Sequence, residues 1–573
     1  MPLKRFLPVA GAVFLIIGIS AWLVLGRNHG SAYMVAAANP YASEAGAEIL
    51  REGGSAVDAA IAVQAVLTLV EPESSGLAGG AFMLHWDGAG KLDAYDGRET
   101  APTGATPDMF LDAAQKPIDK IPAILSGRSV GTPGVVRMFW LAHQEHGTLP
   151  WAKLFEPAIR LSTDGFKVSA KLAAAIARDP VLVKMPVAQD YFFTKDDKGN
   201  RVPVAAGALL KNPAFAETLK LIADKGADGF YQGPVAQGIV DTVAHAPSMP
   251  GTLSLADLAG YEAKHREPLC RPYRVYRVCA MPPPTSGGIA TLQVLGILEN
   301  FDMGEIEPMS LVAVHFIAEA EKLAYADRGK YVGDPDFVHV PVEALLEPRY
   351  LKARADTIDP SRSMGKAIPG EVADKRAEGY GLNVPVDFPS TSHFTVMDAQ
   401  GRVISITTSV EAPFGSHLMS GGMILNNQLT DFSFAPVQDG KPVANAIAPG
   451  KRPMSAMDPV IVFNKDGSFF AAVGSPGGPL IIGYVTETLV ALLDWKMDMQ
   501  QAVALPRFLD RNGPLEIEKG TSLEALTPQL QQLGHEVKPI TMNSGLHGIR
   551  EIDGKLDGGA DPRREGKVIG GAL

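Results

Sequence analysis

The sequence predicts an α+β protein of stacked layers, with sheets packed on each other and helices outside. Three observations lead there. Alternating strands joined by tight turns occur near residue 82 and again after Pro389. Stretches of helical period lie between and beyond them. The chain has 573 residues, 46% apolar and 20% charged, enough material for a large core built mainly from Ala, Val, Leu and Ile.

Local signals place the elements. Ser43 reads as an N-cap for a helix over 44–50, ended by Gly53-Gly54. Ser55 caps a second helix over 56–70, apolar nearly all round and therefore buried, and Pro72 stops it. Residues 82–86 and 91–95 form a hairpin around Asp87-Gly88-Ala89-Gly90. The region 150–265 reads as mostly helical, with candidates at 154–161, 215–223 and 235–244. A long helix over 309–330 carries Val312, Phe316, Ala320, Leu323 and Ala324 on one face. Residues 361–387 are polar, with scattered Gly and Pro, and read as an exposed loop. Beyond Pro389 come strands at 393–397, 403–408, 460–464 and 469–473, then a glycine turn at 474–478 and an apolar helix over 480–493.

The N-terminus sets the compartment. Lys4 and Arg5 precede an apolar run over 6–25, long enough at about 1.5 Å per residue to cross a bilayer core. An uncleaved anchor is favoured over a cleaved signal, because the only small-residue cleavage site is the weak one at Gly30 and Ala32. Trp22 suits an interfacial position, and the basic end stays cytoplasmic. The expectation is a membrane segment over 1–30 with the rest of the chain outside the cytoplasm, secreted if the segment is cut.

Composition excludes several functions. The balance of 52 Lys+Arg against 63 Asp+Glu gives −11, so a nucleic-acid partner is not expected. Two Cys exclude a disulfide scaffold. Tyr273-Arg274-Val275-Tyr276 reads as a turn that sets Cys270 opposite Cys279; a bridge outside the cytoplasm and two buried thiols are the competing readings. The 12 His are scattered, without a His-Glu-x-x-His or paired-Cys spacing, so no metal or other cofactor is expected. Nucleotide-binding glycine loops and a serine-hydrolase elbow are also missing.

What remains is Thr391-Ser392-His393, opening a strand directly after a polar loop. If the chain is cut before Thr391, its new α-amine, with a pKa near 8, lies within reach of its own hydroxyl. One residue then supplies nucleophile and base. Taken alone, a Thr at a strand start is more often structural.

The surrounding motifs change that balance. From Met34 to about Arg564 the chain resembles the γ-glutamyltransferase (γ-glutamyltranspeptidase) family of N-terminal nucleophile hydrolases. The resemblance rests on an ordered set of segments: 75–80 (SGLAGG), Asp96-Gly97-Arg98-Glu99 with Ala101-Pro102, Gly131-Thr132-Pro133-Gly134, 281–288 (MPPPTSGG), Thr391-Ser392-His393, Leu425-Asn426-Asn427-Gln428 with Asp431-Phe432-Ser433, Lys451-Arg452-Pro453, and 474–478. It implies a four-layer αββα body made as a proenzyme that cuts itself between Ser390 and Thr391. Residues 31–390 become a large subunit and 391–573 a small one, a heterodimer from one precursor. Thr391 would attack a γ-glutamyl amide such as glutathione and pass the acyl group to water, an amino acid or a peptide. Gly477 and Gly478 would form the oxyanion hole, where amides at a helix start suit developing negative charge. Arg98 would clamp the substrate α-carboxylate, a role suited to a planar bidentate donor. Gln428 and Asp431 would receive the α-ammonium. Ser409 would hold the nucleophile.

The departures bear on specificity. Glu411 stands where well-studied members carry Asn. Ser455 is followed by Ala456 where the family has paired serines. The connection from Asp431 to Lys451 contains no Tyr, so an open site without a tyrosine-tipped lid is expected. Glu411 and Ala456 motivate an alternative, an amidase of the same fold acting on a glutaryl- or cephalosporin-type acyl group. A third reading, from a different class, is an inactive envelope protein that keeps the fold for binding or structure.

Overall fold

The computed structural model describes residues 32–383 and 390–572. The segment expected to span a membrane lies outside the described residues. Among those that are described, no helix is long and apolar enough to cross a bilayer.

Two sheets form the centre. A seven-stranded sheet runs in the order Lys567–Ala572, Ala32–Ala37, Ser392–Met397, Val403–Ser409, Gly80–Trp86, Leu92–Gly97 and Lys264–Arg266. A six-stranded sheet runs Lys555–Ala560, His547–Ile552, Phe469–Gly474, Val460–Phe463, Tyr276–Ala280 and Leu269–Tyr273. The two lie face to face, and helices cover each outer side, giving αββα. Both sheets contain strands from both sides of the Ser390–Thr391 peptide.

Strand alternation explains the two cores. Along Gly80–Trp86, Ala81 and Met83 join the core under the helices Pro40–Arg51, Ala56–Val70 and Val135–His146. Phe82, Leu84 and Trp86 point the other way, into the core shared with the second sheet and the helices Gly287–Leu298, Leu311–Tyr331 and Ile481–Leu493. Where the sheets meet beneath Thr391 the filling is polar: His393 bonds Thr407 Oγ1 at 2.9 Å, and burial pushes its pKa well below the usual range.

Several local expectations need correction. The first helix begins at Pro40, not Glu44, because Pro40 fits the first turn and the Asn39 side chain accepts from Tyr41 N. Ser43 is therefore inside the helix, and its hydroxyl ties that helix to the Lys567 carbonyl at 2.7 Å. Ser55 does cap Ala56–Val70, through a reciprocal box with Asp58. The long helix spans Leu311–Tyr331; it is buried on most sides, and Val312 faces solvent. The polar stretch from 361 is a loop as far as it is described, but not a loose one. Val372 and Ala377 are buried with Tyr331 and Leu345.

Cys270 and Cys279 lie directly opposite in the hairpin of Leu269–Tyr273 and Tyr276–Ala280 and form a disulfide. The bridge closes a short loop, so loop-closure entropy assigns it about 2–3 kcal/mol. Non-reducing peptide mapping should recover residues 270 and 279 in one linked fragment. A Cys270→Ser/Cys279→Ser variant should unfold at a lower urea concentration.

Candidate functional site

The site sits where Thr391 begins its strand. Pairing of Ser392 with Thr408 sets Thr391 beside Ser409, with the two hydroxyl oxygens 3.4 Å apart. The next strand is close enough for this because Gly79 has no side chain; a Cβ there would meet the Ser409 carbonyl at 2.2 Å. The chain is continuous through Ser390. The Thr391 hydroxyl donates to the Ser390 carbonyl, and Ser409 Oγ donates to the same oxygen at 3.0 Å. Ser409 Oγ in turn accepts from the Glu411 amide at 2.9 Å. Behind the nucleophile, Arg564 Nη1 donates to the Thr391 carbonyl at 3.0 Å. Ser392 Oγ donates to Glu71, and Lys171 bridges Glu71 and Glu73 at 2.6 and 2.9 Å. Burial opposes ionisation of both acids; the charges of Lys171 and Arg564 keep Glu71 below the usual range, while Glu73 stays above it.

Arg98 is fixed more completely than any sequence pattern indicates. It is 1% exposed. Nε donates to the Pro453 carbonyl at 3.1 Å and Nη2 to the Met454 carbonyl at 3.0 Å. Nη2 also meets Asp431 Oδ2 at 2.5 Å. Gln428 Nε2 donates to that same Asp431 oxygen at 2.9 Å. Next to Arg98, burial pushes the Glu99 carboxyl up to about 8 against the pull of the guanidinium.

The scattered motifs meet here through backbone bonds. Asn426 Nδ2 donates to the Ala78 and Gly131 carbonyls, each at 2.9 Å, joining three of them. Asn427 donates to Glu411 and accepts from the Ala412 amide. The Ser286 amide donates to the Ser455 carbonyl at 2.8 Å, bringing in the 281–288 segment. Glu411 itself has φ of 81°, a left-handed conformation that L residues seldom adopt.

One cleft of about 30 Å³ is lined by Arg98, Ser390, Thr391, Ser409, Glu411, Gln428, Asp431, Ser455, Ala456 and Gly478. That volume admits one or two waters. Gly477 does not line it, but precedes Gly478 with φ of 138°, which lets the chain turn into the helix Ile481–Leu493. In the uncut chain Thr391 is 2% exposed and Ser390 forms part of the cleft wall. Cys270 and Cys279 are elsewhere, on the edge of the second sheet.

Sequence reasoning missed Arg328, which lines the cleft from the last turn of the helix Leu311–Tyr331 and donates to Ser286 Oγ at 2.7 Å. The helix carries six other charged or His side chains, so nothing in the sequence singled Arg328 out. Also missed was the Glu71–Lys171–Glu73–Arg564 group, whose members are too far apart in sequence to read as a unit.

Glu99 gives a testable consequence. Folding raises its pKa, so the folded state holds a proton that the unfolded chain gives up between the ordinary Glu value, about 4.3, and about 8. This contribution is full at low pH and is lost as pH rises through that window. Urea midpoints measured across it should fall less steeply with rising pH for Glu99→Gln than for the wild type.

Residues 42–571 match the family described as Gamma-glutamyltranspeptidase. The glutathione hydrolase proenzyme of Bacillus subtilis (strain 168) is 38% identical over 550 residues, covering 94% of this chain and 91% of that protein. That of Escherichia coli (strain K12) is also 38% identical over 550 residues, covering 92% and 90%. Among solved structures, cephalosporin acylase from Bacillus halodurans superposes with a TM-score of 0.80 at 28% identity, over 94% of this chain and 96% of that one.

Proposed function

The chain belongs to the gamma-glutamyltranspeptidase family, and we propose that it matures by cutting itself before Thr391 and then uses that residue on γ-glutamyl amides. It is an enzyme of the N-terminal nucleophile type, a glutathione hydrolase and γ-glutamyltransferase. The observation that carries the residue assignments is the single cleft holding Thr391, Ser409, Arg98, Asp431 and Gly478 together. The inactive binding-protein reading has no comparable support.

Maturation follows from the contacts of Ser390. Thr391 Oγ1 bonds to the Ser390 carbonyl carbon and the carbon–nitrogen bond breaks. The hydroxyl proton ends on the departing nitrogen, which becomes the free α-amine. Ser409 Oγ already donates to the oxygen that gains charge. Water then hydrolyses the ester, leaving a Ser390 carboxylate and restoring the hydroxyl. The products are a large and a small subunit held by shared sheets.

Turnover reuses the same atoms. The α-amine takes the Thr391 hydroxyl proton as Oγ1 attacks the γ-carbonyl, and returns it to the leaving amine. The Gly478 amide, at a helix start, faces the developing oxyanion with Gly477. Arg98 and Asp431 neutralise each other at 2.5 Å when no substrate separates them. A substrate α-carboxylate and α-ammonium inserted there exchange one ion pair for two. Glu411 and Gln428 complete the ammonium side, and the Ser455 and Ala456 segment flanks the carboxylate side. Two carboxylates beside the acyl group favour a donor with an α-amine over a glutaryl group. The acylase reading draws on Ala456 and on the likeness to cephalosporin acylase.

We also propose export, with 1–30 as a membrane anchor. The disulfide supports this, since such bridges persist outside reducing compartments.

Two experiments decide the reading. Purified wild-type protein should run as two fragments on a denaturing gel, whereas Thr391→Ala should stay as one 60.7 kDa chain without turnover. A Thr391→Ala protein that is cut normally would remove the nucleophile assignment. Second, a γ-glutamyl anilide should be hydrolysed in preference to a glutaryl anilide. Asp431→Asn should lower kcat/KM on the first by roughly 10–100-fold, the worth of one charged hydrogen bond, and alter the second little. Preference for the glutaryl compound would favour the acylase reading.

A further inference from the structure

The hairpin that ends near the cleft at Gly80 carries an unrelated cluster at its other end. His85 lies five residues along the strand, roughly 17 Å away. It stands directly opposite Asp93 on the paired strand. His146, the last residue of the helix Val135–His146, packs its ring on that of His85 with centroids 4.0 Å apart. Asp93 Oδ2 is 3.9 Å from His85 Nδ1 and 3.4 Å from His146 Nε2. His85 is 1% exposed, and among the described residues neither of its ring nitrogens has a hydrogen-bond partner; Asp93 Oδ2 has none there either. A buried imidazole left unpaired at both nitrogens is a cost that native cores seldom carry. The other oxygen of Asp93 pairs with the exposed Lys91 at 2.9 Å, which holds Oδ2 toward the two rings.

We propose that His85, Asp93 and His146 form a divalent-cation site of zinc type, with two imidazole nitrogens and one carboxylate oxygen converging from a cross-strand pair and a helix end. Around a tetrahedral zinc with bonds of about 2.0–2.2 Å, ligand atoms are spaced by roughly 3.3–3.5 Å. The separations of 3.4 and 3.9 Å are near that spacing, and the two rings must part by about 1 Å from their 4.0 Å stack to aim their nitrogens at one ion. Two imidazoles select a borderline transition ion over calcium or magnesium. Tyr95 donates to Glu145 at 2.7 Å and so accepts from His146 Nε2 at 2.8 Å. Coordination through Nε2 uses the neutral Nδ1–H tautomer, so the ring proton moves from Nε2 to Nδ1 by way of solvent and none is lost overall. Glu145 Oε2, 3.7 Å from His146 Nε2, or a water takes the fourth position. His265 steadies Glu145 at 2.8 Å. The ion would link the hairpin tip to the helix end and leave the cleft untouched. The spacing 85, 93, 146 matches no linear metal motif, because the three ligands converge only after the hairpin and helix have folded.

The test is a titration of untagged, full-length, chelator-stripped protein with Zn²⁺ alone, by calorimetry in two buffers that differ in ionisation enthalpy. One zinc per chain, the same heat in both buffers and a raised thermal midpoint are expected. His85→Phe, which keeps the ring volume, and His146→Gln, at a partly exposed position, should each lose the bound zinc while hydrolysing γ-glutamyl anilide like the wild type. The proposal is overturned if the wild type takes up no stoichiometric zinc, or if both variants bind it as the wild type does.

Discussion

The cleft depends on one antiparallel pairing, that of Ser392–Met397 with Val403–Ser409 inside the seven-stranded sheet. Both strands are flanked on their other edges, by Ala32–Ala37 and Gly80–Trp86. A chain end placed at Thr391 therefore begins inside a hydrogen-bonded ladder rather than as a frayed terminus. The same pairing brings Ser409 within reach of both the Thr391 hydroxyl and the Ser390 carbonyl. The placement of the Thr391 hydroxyl and the hydrogen bond to the carbonyl before it are consequences of one register.

Charge in the cleft is arranged against stability rather than for it. Replacing a buried ion pair by well-packed apolar groups is often neutral or favourable, so a pair such as Arg98–Asp431 is weak evidence for a structural purpose. Arg98 is held by two carbonyls as well, which fixes its guanidinium even when Asp431 turns to another partner. Glu99 beside it is kept protonated by burial near neutrality, so it adds no second negative charge to compete for the guanidinium. A fixed cation and an acidic partner that can be shared are what recognition of a zwitterion requires. The left-handed Glu411 and the Gly477 turn add backbone strain in the same few ångströms, where local sequence preference has been overruled.

The uncut chain also relates processing to access. Ser390 lines the cleft that an acyl group needs, and its hydroxyl donates to the Glu73 carbonyl, so the segment before the cut is anchored at the site. Upstream, Val372 and Ala377 pin the polar loop to the body. In the proposed maturation, cleavage removes the covalent tie at Ser390 and these contacts then decide how far the severed tail withdraws.

Much was legible before folding. Strand alternation around residues 82 and 393, the Ser55 cap, the apolar helix after the glycine turn and the opposed cysteines are local patterns that chain geometry converts directly into structure. The first helix was misplaced because a Ser inside a helix and a Ser at its cap look alike in sequence, and Pro40 with Asn39 won the position. Among candidate site residues, Thr391, Arg98 and Asp431 are singled out by the order of the motifs, not by their spacing, and the fold brings them to one cleft. Arg328, the Glu71–Lys171–Glu73–Arg564 group and the His85–Asp93–His146 cluster are not singled out, since their members come from separate elements. The sequence by itself determined the element types, the candidate nucleophile and the chemical class of its partners. Only the tertiary structure decided that Asn426 stitches three motifs together, that Arg98 faces Asp431, and that Ser390 lines the cleft. Those facts depend on contacts between residues up to hundreds of positions apart, which no local signal encodes.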